Sequence, residues 1–316
     1  MAYLVTGGTG FIGSWVVKSI INEGKKVICF ELEPNIERLK NLLGEDFDKV
    51  IVIKGDILHF HKILDVIKEY KITHIAHIAA AVLRVCKANP HYAMQVNING
   101  FTNILESCKQ TGIERLVWAS SASVFGGSYG NKKIPNDAPF KPTSIYAGSK
   151  LLSEKLAEHY FDNYDIDVIG LRYTFVTGHG MPNSIGGKFI QELCEKPACG
   201  QKGRVPWGED YPDWLWGGDA GRATMLALSA NTTKTRSFNI AGDPGSVVSA
   251  IDFIKNILPG SDIEALPGKM GFNNFDGSVA EKEIGYKPEW SMKKQLVAHI
   301  NRARKSANLE LINNIY

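Results

Sequence analysis

The stretch that decides the fold is Gly7-Gly8-Thr9-Gly10-Phe11-Ile12-Gly13, near the start of a chain of 316 residues. It satisfies the pattern G-x-G-x-x-G through Gly8, Gly10 and Gly13. An apolar run precedes it and an amphipathic helical pattern follows. Glycines at these positions permit a tight turn and let a phosphate group reach backbone N–H groups at a helix N-terminus. The stretch predicts a dinucleotide-binding strand–turn–helix; a glycine-rich turn without a ligand is the alternative.

Short β-rich runs alternate with helical patterns beyond this turn. Near-continuous apolar runs are typical of strands in a parallel sheet that helices cover on both faces. The sequence therefore predicts an α/β fold, a Rossmann-type doubly wound parallel sheet. We expect its strands at 3–6, 27–31, 50–54, 74–78, 115–119, 168–171 and 236–240.

The rhythm changes past about residue 175, where glycines and a proline lead into a mixed region with long loops. We expect residues 1–175 to form the nucleotide-binding domain with the catalytic residues. Residues 176–316 then form mainly a smaller substrate-binding lobe, with some segments returning to the first domain. A closing amphipathic helix is expected at 291–305, so that the two lobes share one cleft.

Acidic residues at two strand ends indicate which dinucleotide binds. Glu31 closes the second expected strand, where a carboxylate accepts hydrogen bonds from the adenosine ribose and repels the 2′-phosphate of NADP. It therefore favours NAD, with a solvated acid as the alternative, while the nearby Arg38 and Lys40 keep NADP open. Asp56 follows the third strand and is placed either to accept from the adenine amino group or to cap a helix.

Composition excludes several function classes. The chain is 44% hydrophobic and 22% charged, and 36 basic residues nearly balance 33 acidic ones without forming a basic stripe. We therefore expect no nucleic-acid partner and no membrane partner. Five cysteines include no C-x-x-C pair, and no secretion signal is evident, so a cytoplasmic location is expected. No cluster has metal-ligand spacing.

A tyrosine and a lysine four residues apart form the candidate catalytic pair. Tyr146 and Lys150 follow Thr143 and Ser144, either of which is a plausible helix cap, so the pair shares one helix face. A second pair with this spacing, starting at Tyr129, lies in a glycine-rich stretch that cannot hold helical geometry.

Serines after the fifth strand complete the candidate site. Ser120 and Ser121 fall where parallel α/β sheets place ligands. The glycine stretch, Ser120–Gly126 and the Tyr146/Lys150 pair together resemble the extended short-chain dehydrogenase/reductase family, also called the NAD-dependent epimerase/dehydratase family. The resemblance is strong over about residues 1–180. It continues in His77-Ile78-Ala79-Ala80, in 97–100 and in 284–288.

The resemblance implies roles for these residues. Tyr146 is the general base or acid, Lys150 binds the nicotinamide ribose and lowers the pKa of Tyr146, and Ser121 hydrogen-bonds the reacting oxygen. Ser120 and Ser123 are then strand-end neighbours. The expected NAD-binding residues are Gly7, Gly10, Phe11, Ile12, Gly13, Glu31, Asp56, Ile57, Ala79, Ala80, Tyr146 and Lys150. A homodimer through helices near 91–111 and 145–163 is also implied.

Departures from the family patterns guide the choice of reaction. Ala122-Ser123 stands where dehydratases carry an Asp-Glu pair, which disfavours dehydration. Phe175 replaces the asparagine, and Pro212 the arginine, that sugar-nucleotide enzymes usually place for a diphosphate. We therefore expect an NAD-dependent dehydrogenase or reductase that interconverts a secondary alcohol and a ketone on a small or sugar-like molecule. The alternative is an NAD-retaining sugar or sugar-nucleotide epimerase.

Two further groups bear on the substrate. Trp207, Tyr211, Trp214 and Trp216 either line a compact apolar pocket or pack between the lobes. Arg204 and Arg222 are candidates for an anionic substrate or ordinary surface charges. A redox-sensing protein that binds NAD without turnover is a third hypothesis, and the intact Ser121, Tyr146 and Lys150 argue against it.

Overall fold

A seven-stranded parallel sheet forms the centre of the molecule, in a computed structural model that describes residues 1–127, 129, 132–182, 184–231 and 233–313. Its strands, in chain order, are β1 (Ala2–Thr6), β2 (Lys26–Glu31), β3 (Val50–Lys54), β4 (Ile72–His77), β5 (Arg115–Ser121), β7 (Val168–Tyr173) and β11 (Ser237–Ile240). The remaining strands are β6 (Lys133–Ile134), β8 (Phe175–Thr177), β9 (Gly203–Val205), β10 (Asp213–Trp216), β12 (Asp243–Pro244), β13 (Ile263–Ala265) and β14 (Asn274–Phe275).

The spatial order of the central strands is β11-β7-β5-β4-β1-β2-β3. The order therefore reverses between β1 and β4, as in doubly wound nucleotide-binding folds, whose ligands bind at the carboxyl ends of the strands beside the reversal. The expected α/β fold is confirmed. Strand β8 pairs with β10, and β10 pairs with β12 in a separate three-stranded sheet.

Helices fill the connections between strands. They are α1 (Phe11–Asn22), α2 (Ile36–Leu43), α3 (Phe60–Tyr70), α4 (Leu83–Ala88), α5 (Pro90–Met94), α6 (Phe101–Thr111), α7 (Ile145–Tyr164), α8 (Ile185–Ile190), α9 (Lys196–Ala198), α10 (Gly217–Ser229), α11 (Val247–Ile257), α12 (Ser278–Ile284) and α13 (Met292–Ser306). Two π-helical turns, Gln95–Gly100 and Gln191–Glu195, and two 3₁₀ turns, Gly44–Lys49 and Ala122–Phe125, complete the set.

Alternate side chains along a central strand pack into two different apolar cores, one on each face of the sheet. Tyr3 and Val5 pack with residues of α1 and α10, whereas Leu4 packs with residues of α3 and α6. This alternation follows from the two-residue period of a strand. A third core joins α8, α11 and α13 in the second half of the chain.

The expected second-half strand at 236–240 joins the central sheet beside β7 as Ser237–Ile240. The expected closing helix is α13. The division into domains at residue 175 remains a prediction. Within the described residues, no helix is long and apolar enough to cross a membrane.

Candidate active site

The glycine turn connects β1 to α1 with no room for side chains. A Cβ atom on Gly13 would lie 2.0 Å from the Gly7 carbonyl oxygen, and one on Gly7 would lie 2.7 Å from the Ala79 nitrogen. Gly7 also has a φ of 71°, which favours glycine. Gly10 is the N-cap of α1 and supplies no capping side chain, so N–H groups of the first turn, from Phe11 to Gly13, face the turn. This arrangement fits a diphosphate.

Glu31 lies at the end of β2 beside this turn. Its Oε2 atom accepts hydrogen bonds from the Thr9 backbone N–H, at 3.3 Å, and from the Thr9 hydroxyl, at 3.1 Å. Burial raises the pKa of Glu31, and the Thr9 hydrogen bonds oppose that shift. The carboxylate is thus held where the adenosine ribose is expected.

The two cations that kept NADP open both have partners within the protein. Arg38 donates through Nη1 to the Thr9 carbonyl at 3.0 Å and through Nε to the Gly180 carbonyl at 3.1 Å. The Lys40 ammonium lies 5.0 Å from the centre of the Phe47 ring. These contacts agree with the acid at Glu31 in favouring NAD.

The remaining cofactor candidates lie at the ends of β3 and β4. Asp56 Oδ1 accepts from the Leu58 N–H at 2.9 Å in the turn before α3, whose N-cap is His59 rather than Asp56. The Ile57 side chain packs against Gly100, so closely that a Cβ atom on Gly100 would lie 2.6 Å from it. Ala79 donates its N–H to the Thr6 carbonyl at 3.0 Å, and Ala80 follows it, half-buried. Their part in binding NAD remains a prediction.

Ser121, Tyr146 and Lys150 meet where β5 packs against the start of α7. Ser144 caps this helix by accepting from the Ala147 N–H at 3.1 Å, which settles which of the two cap candidates is used. Lys150 is only 4% exposed, and its Nζ atom donates to the Ala119 carbonyl at 2.6 Å. It lies 5.8 Å from the centre of the Tyr146 ring. Ser121 lies close enough to the Tyr146 side chain to lower its pKa, and its Oγ atom accepts a hydrogen bond from the Ser123 hydroxyl at 2.9 Å.

Burial dominates the acid–base properties of this set. It raises the pKa of Tyr146 to about 12, and the hydrogen bond from Ser121 acts in the opposite direction. It lowers the pKa of Lys150 to about 8, which nearby Cys86 and Glu154 partly oppose. The Lys150 ammonium is turned to the Ala119 carbonyl. The expected lowering of the Tyr146 pKa by Lys150 stays a prediction for the loaded enzyme.

Sequence reasoning missed a buried ion pair behind the catalytic helix. Glu154 lies one turn after Lys150, and Arg172 donates to both of its carboxylate oxygens at 2.8 Å. Ser120 donates to the same carboxylate at 2.6 Å. The pair joins β5, β7 and α7 and fixes the strand end that carries Ser121. The i, i+4 spacing of Lys150 and Glu154 was the sequence signal that could have placed Glu154 on the same helix face as Lys150.

Asn97 was also without an assigned role. It lies in the π-helical turn before α6, where its side chain bonds both the N–H and the carbonyl of Ala81, at 2.7 and 3.0 Å. It also donates to Ser149 of α7 at 3.0 Å. Asn97 thus holds the loop after β4 against the catalytic helix.

The aromatic residues of the second half mainly pack in the interior. Trp214 and Trp216 are fully buried, and Trp216 stacks on Trp290 with ring centres 4.5 Å apart. The Phe175 ring lies 4.6 Å from Phe272 and 5.6 Å from Trp214. For Trp214 and Trp216 the structure therefore shows the packing alternative, and it places Phe175 inside the cluster.

The basic substrate candidates pair with acidic residues in the second half of the chain. Arg204 is exposed on β9 and pairs with Glu264 at 3.5 Å. Arg222 pairs with Asp219 and Glu289 and donates to the Lys287 carbonyl. The competing Tyr129–Lys133 spacing is not helical either, because Lys133 begins β6.

These features define an NAD-binding Rossmann enzyme of the short-chain dehydrogenase type. They are a doubly wound sheet, a glycine turn where its strand order reverses, and a Tyr–Lys pair beside a serine at a strand end. The profile of the NAD dependent epimerase/dehydratase family matches residues 3–241, and the chain belongs to that family. Its cofactor is NAD. Within the described part of the chain, no group of three or more His, Cys, Asp or Glu side chains could hold a metal ion.

Relatives within the family catalyse different reactions. UDP-glucuronate 4-epimerase 3 of Arabidopsis thaliana is 29% identical over 90% of this chain and 72% of its own length. Among solved structures, UDP-glucose 4-epimerase of Thermus thermophilus with NAD has a TM-score of 0.82 and 24% identity, covering 96% of this chain and 99% of that one. A GalE-like L-threonine dehydrogenase from Cupriavidus necator has a TM-score of 0.85 at 24% identity over the same shares. The structural likenesses show the fold alone.

Proposed function

We propose that the chain is an NAD-dependent dehydrogenase or reductase that interconverts a secondary alcohol and a ketone on a small, polar substrate. The environment of Phe175 carries this choice within the family. The sequence places Phe175 where sugar-nucleotide enzymes usually have an asparagine, and its ring packs against Phe272, Trp214 and Phe189. An apolar cluster at that point offers no hydrogen bonds to a diphosphate.

The catalytic residues can move the proton that this reaction requires. Tyr146 Oη takes the proton of the substrate hydroxyl, and Ser121 Oγ donates a hydrogen bond to the reacting oxygen. NAD, when bound, would supply the hydride acceptor for the carbon that bears this hydroxyl. Because burial raises the pKa of Tyr146 to about 12, the tyrosine needs a nearby positive charge to act as a base near neutral pH. We assign this charge to Lys150, whose ammonium would turn from the Ala119 carbonyl toward Tyr146.

A sugar-nucleotide 4-epimerase is the second candidate, and the comparisons favour it over the dehydrogenase. The curated relatives include UDP-glucuronate 4-epimerases from Arabidopsis thaliana and from Thermodesulfobacterium geofontis, the latter aligned over 99% of this chain. An epimerase uses the same first oxidation and then returns the hydride to the other face. The two candidates therefore share Ser121, Tyr146 and Lys150 and differ in whether NADH leaves.

A substrate panel separates the two. Purified protein is mixed with NAD and either small hydroxy acids, secondary alcohols and free sugars or UDP-sugars, while NADH absorbance and product epimers are followed. We expect NADH to accumulate with members of the first group. Epimer formation from a UDP-sugar without NADH would establish the epimerase instead.

We also propose a cytoplasmic homodimer. All five cysteines are free thiols, the state that a reducing compartment maintains. The helices implied in dimer contact carry exposed apolar side chains, including Met94 at the end of α5 and Leu152 on α7. Burying such side chains against a second copy would remove them from water.

A further inference from the structure

A groove of about 990 Å³ lies between α2 and α13, with the loop at residues 179–181 as a third wall. We name it the α2–α13 groove. The residues that line it include Asn35, Arg38, His179, Lys294, Arg302 and Lys305. The C-terminal segment after α13 is fixed against this helix by two hydrogen bonds. Asn301 accepts from the Ile312 N–H at 2.8 Å and donates to the Ile312 carbonyl at 2.9 Å.

The groove is distinct from the catalytic cleft. Its described lining contains no residue of the glycine turn and neither Tyr146 nor Lys150. It meets the cofactor site only through its rim at Asn35 and Arg38, since the Asn35 N–H donates to the Thr9 hydroxyl at 2.9 Å. A ligand in the groove could therefore be bound together with NAD.

Positive charge dominates the groove. Arg38, Lys294, Arg302 and Lys305 line it, against the single acid Glu37 among the described lining residues. Arg302 and Lys305 are exposed, and within the described residues neither has an ion-pair partner. Arginine and lysine side chains that line one groove are suited to binding phosphate groups.

Helix stability does not explain this charge pattern. Cations stabilise a helix near its C-terminus, which would account for Lys305 in the last turn of α13. Lys294 instead lies in the first turn, after the cap Ser291, where a cation opposes the helix dipole and its ammonium donates to the Glu289 carbonyl at 3.4 Å. Arg38 belongs to another helix, α2. All four cations line the space between the two helices.

An unpartnered buried atom lies at the same place. His179 lines the groove; the Ala298 backbone acts on its ring as a hydrogen-bonding group, whereas its buried Nε2 atom has no hydrogen-bond partner among the described residues. Leaving a buried polar atom unpaired is costly, so such atoms are usually satisfied by a ligand or water. Arg302 adds positive charge beside this ring.

The groove is also linked to the cofactor turn. Arg38 bonds the Thr9 carbonyl in that turn and the Gly180 carbonyl in the groove wall. Trp15 of α1 donates to the His179 carbonyl at 3.2 Å. An anion that attracts the Arg38 guanidinium would weaken its hold on the Thr9 carbonyl and so loosen the turn that we expect to bind NAD.

We propose that the α2–α13 groove binds a phosphorylated small molecule as an effector, and that its occupancy weakens NAD binding through Arg38. The coupling is reciprocal, so NAD weakens effector binding by the same factor. The proposal depends only on NAD binding and is independent of whether the enzyme is a dehydrogenase or an epimerase.

Inorganic pyrophosphate serves as the probe, with chloride used to match ionic strength. Calorimetry measures the Kd of NAD at rising pyrophosphate concentration. We expect the Kd to rise several-fold and then to reach a plateau, because both ligands bind together. A rise that continues in proportion to pyrophosphate would place the probe in the NAD site and overturn the proposal, as would no rise at all.

Charge reversal locates the probe. In the variant R302E/K305E we expect pyrophosphate binding to weaken at least about tenfold, since two charge-assisted contacts are lost. The Kd of NAD without pyrophosphate should stay as in the wild type. K62E/K68E, with the same charge change on exposed lysines of α3, is the control and should bind pyrophosphate normally. Equal binding by R302E/K305E and the control would contradict the groove.

Discussion

We propose that the Tyr146 hydroxyl carries the proton-transfer step, with Ser121 close enough to act on its pKa. We expect Tyr146→Phe to lower kcat by about 10²- to 10⁴-fold, the usual contribution of a general acid or base. The Kd of NAD should change little, because the ring remains. Tyr129→Phe, which removes the hydroxyl from the other Tyr-x-x-x-Lys spacing, is the control. Equal activity of the two variants would remove Tyr146 from the mechanism.

Lys150 should titrate far below an ordinary lysine. Burial disfavours its ammonium form and lowers its pKa from 10.5 to about 8, so the proton is held at pH 7 and lost through about pH 8. An NMR titration of ¹³C-lysine-labelled protein without NAD measures this directly, and Lys150→Met identifies the resonance. A midpoint near 10.5 would mean that the amine is solvated, contrary to its bond to Ala119.

The turn between β1 and α1 tolerates no side chain at Gly13. A Cβ there would lie 2.0 Å from the Gly7 carbonyl, so Gly13→Ala must displace the turn. We expect a lower melting temperature and at least about tenfold weaker NAD binding, since a displaced amide group forfeits a charge-assisted bond to phosphate. Gly148→Ala is the control, because a Cβ there meets nothing within 4 Å. Unchanged NAD binding by Gly13→Ala would contradict the assigned turn.

Local elements were predictable from sequence because their signals are local. The strand, glycine turn and helix at the N-terminus are contiguous, and Ser144, Tyr146 and Lys150 fall within two helical turns. The Arg172–Glu154–Ser120 contact joins three elements, and the cluster around Phe175 includes Phe272 from a distant loop. No sequence period brings such residues together, so only the fold reveals them.

The α2–α13 groove marks the same limit. Arg38 was considered in the sequence only as a potential NADP ligand. Its bonds to Thr9 and Gly180 depend on a loop far along the chain. Tertiary packing thus adds Arg38 to the cations that α13 already carries.

In the folded molecule, Leu152 is exposed on α7, the helix that carries Tyr146 and Lys150. We expect a homodimer in solution and expect Leu152→Glu to produce monomers, because the substitution buries a charge in an apolar contact. Light scattering after gel filtration measures the mass. Val248→Glu, at an equally exposed apolar residue of α11, is the control. A wild-type monomer, or a dimeric Leu152→Glu variant, would remove this interface.

The central claim is that NADH leaves the enzyme after each oxidation. The most direct measurement is the NAD content of the purified, desalted protein, together with the exchange of that NAD for labelled cofactor. The account predicts much less than one NAD per chain and rapid exchange, as a dehydrogenase requires. About one NAD per chain that does not exchange would contradict it and identify a cofactor-retaining epimerase.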